Sequence, residues 1–342
     1  MEKVIVGMSG GVDSSVAAVI LKEKGFEVTG YTLIFDDENN KCCRINDAKR
    51  VADELGIDYL TIDISEEFDQ NIINYFLNEY KNGKTPSPCP RCNIFKFKLG
   101  LEYAEKHNIY YVATGHYAKI KNDKLYTADN RKDQAYFLSR LPKKYFSKIL
   151  LPLGEYSKDK VREIAEKYNL HVASKDDSQD ICFIEDDYRD FLKEKGFKRK
   201  KGRVYTSKGK YIDDHEGYFN YTIGQRYKMG GLPNKKYVIE TDKENNRVII
   251  GDNEELFSKK MIIEDINIIA DKKYLDKNLF FKIRSRDSFH SGKIIQKKDD
   301  EFLIQFKESV RAITPGQLAV FYYKENSDYL VVGSGWIKNQ QN

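Results

Sequence analysis

Ser9-Gly10-Gly11-Val12-Asp13-Ser14-Ser15 is the stretch on which the reading of this chain turns. It follows a short apolar run, Lys3-Val4-Ile5-Val6-Gly7-Met8, and precedes a helical pattern that extends to about residue 24, with Gly25 placed to end it. A strand, a glycine loop and a helix in that order make an anion cradle. The glycines let the backbone come close, the hydroxyls and the first helical N–H groups donate, and the helix dipole favours negative charge. The loop is not a Walker A motif, because no Gly-Lys-Ser/Thr follows and the lysine that reaches terminal phosphates is missing. It also lacks the Gly-x-Gly-x-x-Gly spacing of a dinucleotide site. What remains is a phosphate-binding loop, set against the plainer alternative of a tight turn of small residues.

Working outward, strand patterns at 27–34, 58–64 and 110–114 alternate with helical patterns at 47–55, 68–80 and 95–106. That alternation predicts a doubly wound parallel sheet. Its ligands are expected at the carboxyl ends of the strands, where Ser9–Ser15 and the second glycine loop, Thr114-Gly115-His116-Tyr117, both fall. From about residue 197 the helical period fades into a basic run, Lys198-Arg199-Lys200-Lys201 with Arg203. Residues 218–250 are turn-rich. Runs at 280–284, 293–296, 302–306, 318–323 and 330–336 read as short strands of a small barrel or sandwich. The expected division is 1–197, 198–257 and 258–342, an α/β domain, a small central domain and a β-barrel.

The 342 residues, 40% hydrophobic and 32% charged, suffice for more than one core and exclude a disordered chain. No apolar run is long enough to span a bilayer and no signal peptide is evident, so the expected location is the cytoplasm. A net charge of +5 is compatible with a nucleic-acid partner. Five cysteines (Cys42, Cys43, Cys89, Cys92, Cys182) do not read as a disulfide framework in a reducing compartment. Reactive thiols, metal ligands and buried residues stay open, and Cys42-Cys43 receives no role.

The glycine loop resembles the pyrophosphate-binding loop of the ATP pyrophosphatase (PP-loop) superfamily, whose members split ATP into AMP and pyrophosphate to adenylate a substrate. Further segments narrow the resemblance: Thr85-Pro86-Ser87-Pro88-Cys89-Pro90-Arg91-Cys92-Asn93, Ala113–Tyr117, Lys132–Leu138, Asp177–Ile184, Thr222–Arg226 and Ala312–Gln317. Together, and in order along nearly the whole chain, they are similar to the tRNA 2-thiouridylases. The resemblance implies thiolation of the wobble uridine of tRNA, with tRNAs for Lys, Glu and Gln as the expected acceptors. ATP with Mg²⁺ would adenylate the uracil 2-oxo group, and a cysteine persulfide would deliver sulfur.

By the same resemblance, Gly7, Met8, Ser9, Gly10, Gly11, Val12, Asp13 and Ser14 hold the ATP phosphates, Leu33 meets the adenine and Gly115 the nucleotide. Cys182 carries the persulfide and Cys92 is its catalytic partner. Ser87, Pro88, Cys89, His116, Lys132, Asp133, Gln134, Arg284, Ser285 and Gln317 match tRNA-contacting positions. A sulfur-relay protein or cysteine desulfurase would load the persulfide. One departure stands out, since many relatives carry Asp where this chain has Cys89. Cys89, Cys92 and Cys182 are therefore an alternative set of iron–sulfur or zinc ligands. Tyr136, Phe137, Tyr218 and Tyr221 are candidates to stack on bases, against the commoner fate of aromatics in a core. An amidating PP-loop synthetase and an RNA-binding module with a vestigial nucleotide site are the rival functions.

Overall fold

The computed structural model describes residues 1–35, 45–175, 181–184, 187–228, 235–298 and 300–338. Its first layer grows from the strand Lys3–Gly7, whose Val4, Ile5 and Val6 are fully buried. This strand pairs in parallel with Glu27–Ile34 on one side and Tyr111–Thr114 on the other. Asp58–Asp63 and Ile149–Leu150 complete a five-stranded, all-parallel sheet. A strand buried on both faces reads as a continuous apolar run, which is why Val4-Ile5-Val6 does not alternate with polar residues. Val4 and Val6 pack with the helices Val12–Glu23, Ile45–Leu55 and Lys158–Lys167, whereas Ile5 faces the opposite cluster with the helix Pro88–Lys106.

The chain adds its second and third strands on one side of Lys3–Gly7, then crosses to place the fourth on the other. The reversal leaves a crevice between Lys3–Gly7 and Tyr111–Thr114 at their carboxyl ends. Both glycine loops open into it, as the switch-point rule requires.

Two boundaries differ from the sequence reading. The helix expected from 95 begins at Pro88, because Pro at the first helical position costs no hydrogen bond and presets φ. The Cys89–Cys92 run is therefore helical, not part of a loop. The helical stretch at 65–81 contains a π-helical turn, Asp69–Ile73, a feature that often marks functional sites.

The middle of the chain forms a second five-stranded sheet around Val204, Val238, Val248 and Ile250. The C-terminal strands form an antiparallel sheet in the order Phe257–Ile268, Glu301–Arg311, His290–Lys298, Leu279–Lys282, Leu318–Glu325, Asp328–Ile337. Its first and last strands pair, so six strands close a barrel and remove its open edges. A hairpin from the N-terminal region, Ala118–Lys121 with Lys124–Thr127, joins the last barrel strand through Leu330 and Tyr126. Lys119 anchors it: its buried ammonium lies 2.6 Å from both Asp129 and Asp328.

Candidate active site

The glycine loop is shaped by its own residues. Gly10 has φ +70°, a conformation that a side chain would strain. Ser14 Oγ donates to Gly11 O at 3.1 Å and accepts from Ser9 N, while Ser15 Oγ donates to Gly11 O at 2.9 Å. The helix then starts at Val12 behind Gly11, whose missing side chain caps nothing. The first helical N–H groups thus lack an N-cap side chain at an end whose dipole attracts anions. From below, Thr32 Oγ1 donates to Met8 O and Tyr59 OH donates to Thr32 Oγ1. Leu33 is buried one residue from the end of its strand.

The second glycine loop leans on the first. A Cβ at Gly115 would stand 2.6 Å from Asp13 C and Ser14 N, so only glycine lets the two loops touch. Next to it, Tyr117 OH donates to Asp13 Oδ1 at 2.6 Å, and the backbone of Tyr117 is clamped by Gln134. His116 shares a 2.8 Å hydrogen bond with Thr114 Oγ1 through Nδ1. Burial, aided by the charge of Lys96, holds its imidazole down to about 4, so the ring is neutral at pH 7.

The thiols meet at the start of the helix Pro88–Lys106. Cys89 and Cys92 are three residues apart and share a face. Cys92 is buried, in the cluster that also holds Phe35, Phe68 and Phe97, whereas Cys182 is exposed. Phe183 anchors the Cys182 segment by packing its ring edge-on against Phe68 and Phe76 on the helical stretch that holds the π-turn. The Cys89 thiol is pushed up to about 12, by burial first and then by Cys182 and Cys92, with Lys96 opposing. Cys182 is thus near enough to Cys89 for their charges to interact. A thiol raised in this way is protonated at neutral pH. Three sulfurs suit an iron–sulfur cluster chemically. Among the described residues, however, no three His, Cys, Asp or Glu side chains are arranged to hold a metal ion. Cys42, Cys43 and residues 177–180 lie outside the described residues.

The barrel is tied to this thiol-bearing turn. Gln317 Nε2 donates to Thr85 O at 3.0 Å and to Pro86 O at 3.2 Å, and Thr85 N donates to Pro315 O. Arg91, between the two cysteines, lays its guanidinium on Tyr75 (4.2 Å) and Trp336 (5.2 Å). Trp336 Nε1 in turn donates to Asp265, which also takes both bonds of Arg140 NH2. Ser87 precedes the helix directly and is half-buried.

Other positions matched to tRNA contacts serve the fold as well. Arg284 donates to Ala312 O and Thr314 Oγ1, with Ser285 half-buried beside it. Asp133 accepts from the N–H groups of Ala128 and Ala135, Gln134 from that of Tyr117, and Lys132 is exposed. Among the aromatic candidates, Tyr136 is core, its hydroxyl donating to Leu318 O. Tyr221 stacks on Tyr227, and Tyr218 OH donates to Lys81 O. Sequence reasoning missed Arg91, Trp336 and Lys158. Of these, Lys158 alone carried a local signal, a lysine directly after the helix-capping Ser157.

Three family models cover the chain: a tRNA methyl transferase HUP domain at 2–186, a tRNA methyl transferase PRC-barrel domain at 189–252 and an aminomethyltransferase β-barrel domain at 258–337. The chain is 42% identical to the tRNA-specific 2-thiouridylase MnmA 1 of Fusobacterium nucleatum, over 98% of this chain and 93% of that one. It belongs to the tRNA-specific 2-thiouridylase family. The family member from Caldanaerobacter subterraneus is likewise 42% identical, over 99% of this chain and 98% of its own. That of Fervidobacterium nodosum is 41% identical, over 94% and 97%. As a 2-thiouridylase family member the chain carries the family's PP-loop domain for ATP. No helix among the described residues is long and apolar enough to cross a membrane.

Proposed function

We propose that this protein thiolates the wobble uridine of tRNA in an ATP-dependent reaction, adenylating the uracil 2-oxo group and then replacing it with sulfur. The observation that carries the reading is the convergence at one sheet edge. An open, glycine-lined helix start faces the crevice, and the thiols of Cys89, Cys92 and Cys182 gather where the neighbouring helix begins.

In the first half-reaction the uracil oxygen attacks the α-phosphorus and pyrophosphate leaves. Ser9–Ser14 hold the phosphates, and Leu33 and Gly115 border the nucleotide. An oxygen that does not leave unaided becomes part of an AMP leaving group. Mg²⁺ would offset charge on the triphosphate. Asp13 is the loop's own carboxylate, and its Oδ1 already accepts from Lys158 and Tyr117, so the ion would be held mainly by phosphate oxygens.

In the second half-reaction the terminal sulfur of a Cys182 persulfide attacks the same carbon and AMP leaves. The Cys92 sulfur then attacks Cys182 sulfur, the bond to the transferred sulfur breaks, and 2-thiouridine departs. A Cys92–Cys182 disulfide remains, and a reductant restores it. A relay protein or desulfurase supplies the persulfide at exposed Cys182. Among the described residues the three cysteines are not arranged as a cluster cage, and no step here is routed through a metal centre. Ser87–Cys89, His116, Lys132–Gln134, Arg284, Ser285 and Gln317 border the path of the anticodon arm.

The test is mass analysis of nucleosides from tRNA incubated with the protein, ATP, Mg²⁺ and a persulfide source. An oxygen-to-sulfur mass gain at the wobble base, absent without ATP, is the expected result. A modified base formed without ATP, or none under any condition, overturns the reading.

A further inference from the structure

Cys89 and Cys92 lie three residues apart on one face of the helix Pro88–Lys106, and the charge of Cys182 acts on Cys89 as well. Spacing alone does not make either of them the partner of Cys182. The residue between them supplies a difference. At about 100° per residue, Arg91 leaves the helix about 160° round its axis from Cys89 and about 100° from Cys92, well away from the sulfur face. There its guanidinium enters a slot between two rings, 4.2 Å from the centroid of Tyr75 and 5.2 Å from that of Trp336. The rings belong to separate elements, the helix Asn74–Lys81 and the barrel strand Asp328–Ile337, and their planes are tilted by 48°.

Both walls are fixed. Trp336 Nε1 donates to Asp265 at 3.0 Å, and Tyr75 follows the π-helical turn Asp69–Ile73, whose extra residue rotates what comes after it. Arg91 Nε is buried without a hydrogen-bond partner. An unpaired buried donor is unfavourable, so at that atom the ring faces take the place of a hydrogen bond and keep the side chain from turning to water. A flat group held between walls of two elements cannot turn with the helix. Gln317 holds the carbonyls ahead of the helix and so limits sliding, whereas Arg91 limits rolling. A roll of about 60° would exchange the places of Cys89 and Cys92. We propose that Arg91 is a positioning residue that selects Cys92 over Cys89 as the exchange partner of Cys182, by locking the rotation of the helix's first turn. This inference rests on the reading of Cys182 as the sulfur carrier.

The test counts which disulfide forms. The full-length protein is equilibrated with oxidised and reduced glutathione, remaining thiols are alkylated, and fragmentation of the linked peptides places each bond to Cys182 at residue 89 or 92. Each bond formed removes the hydrogens of two thiols and reduces one oxidised glutathione to two thiols. In the unaltered protein the Cys92–Cys182 link should exceed the Cys89–Cys182 link by at least about tenfold. Arg91→Met and Arg91→Lys should each lower that ratio by about tenfold, the scale of a cation on two ring faces; lysine keeps the charge but not the plane. Tyr75→Leu, which removes one wall from a different element, should lower it likewise. A variant that merely loosened the fold would weaken both links and leave their ratio. An unchanged ratio in the Arg91 variants overturns the proposal and leaves the exchange reading standing, as does a full ratio in Arg91→Lys alone, which would make charge the cause. A Cys89–Cys182 link that equals or exceeds the other in the unaltered protein overturns it whether or not the variants fold. If neither cysteine links to Cys182 there, the exchange reading fails and the proposal with it.

Discussion

The glycine loop and the thiol site lie at the same end of one sheet, yet they are built in opposite ways. The loop is made by seven consecutive residues that bond mainly to each other, Ser9 to Ser14, and Ser14 and Ser15 to Gly11. The thiol site is made by pieces far apart in the chain: a helix start at Pro88, a segment held by Phe183, and a barrel turn that reaches back through Gln317. A site held by three elements takes its geometry from all of them. Under the proposed function, activation falls to the first part and sulfur delivery to the second.

The sharpest way to break that division is to remove one half. Cys182→Ser and Cys92→Ser are each expected to reduce thiolation by several orders of magnitude while leaving tRNA-dependent pyrophosphate release measurable. Product mass and released pyrophosphate, assayed in one reaction, decide it. If both signals vanish together, the halves are not separable.

Gly115→Ala probes the loop side. Its methyl would sit 2.6 Å from backbone atoms of Asp13 and Ser14, which cannot swing aside as a flexible side chain does. Overpacking of this kind costs about 1–3 kcal/mol, and here part of it appears as a displaced phosphate site. ATP affinity should fall at least about tenfold, equivalent to about 1.4 kcal/mol. Equilibrium titration of the variant checks this, and unchanged affinity would show that the two loops are not mechanically coupled.

The contrast also explains what the sequence disclosed. The loop was legible because seven adjacent residues carry it. The helix holding Cys89 and Cys92 was read seven residues short, since two prolines and two cysteines look like a loop until Pro88 is placed at the first helical position. Nothing local links Arg91 to Trp336, or Lys158 to Asp13. Those pairings are consequences of packing between elements, and a linear pattern carries no trace of them. The hairpin at 118–127 was missed likewise, because its pairing partner is Leu330.

Gln317→Ala tests whether the barrel sets the thiol turn. It leaves Thr85 O and Pro86 O without their side-chain donor, at a cost of about 1–3 kcal/mol. Thermal unfolding should register the loss. Thiolation should slow more than ATP binding weakens, because the bonds reach the helix that bears the cysteines and not the phosphate loop. An ATP affinity that falls in step with thiolation would place the effect on the wrong side of the comparison.

The smallest effect concerns protons at the second glycine loop. His116 is held near 4 in the folded protein against an ordinary value of 6.5. Because the folded value is the lower one, the unfolded chain takes up the proton first as pH falls. Stability attributable to His116 is therefore complete above about 6.5 and drains away between 6.5 and 4. His116→Gln keeps a polar group of similar reach but does not titrate. Urea midpoints measured across this window should fall more steeply for the unaltered protein than for the variant, and the two slopes should agree above neutrality. Parallel slopes throughout would mean that the imidazole is solvated and able to take a proton. In that case the second loop would side with the thiol site in the comparison, not with the loop it touches.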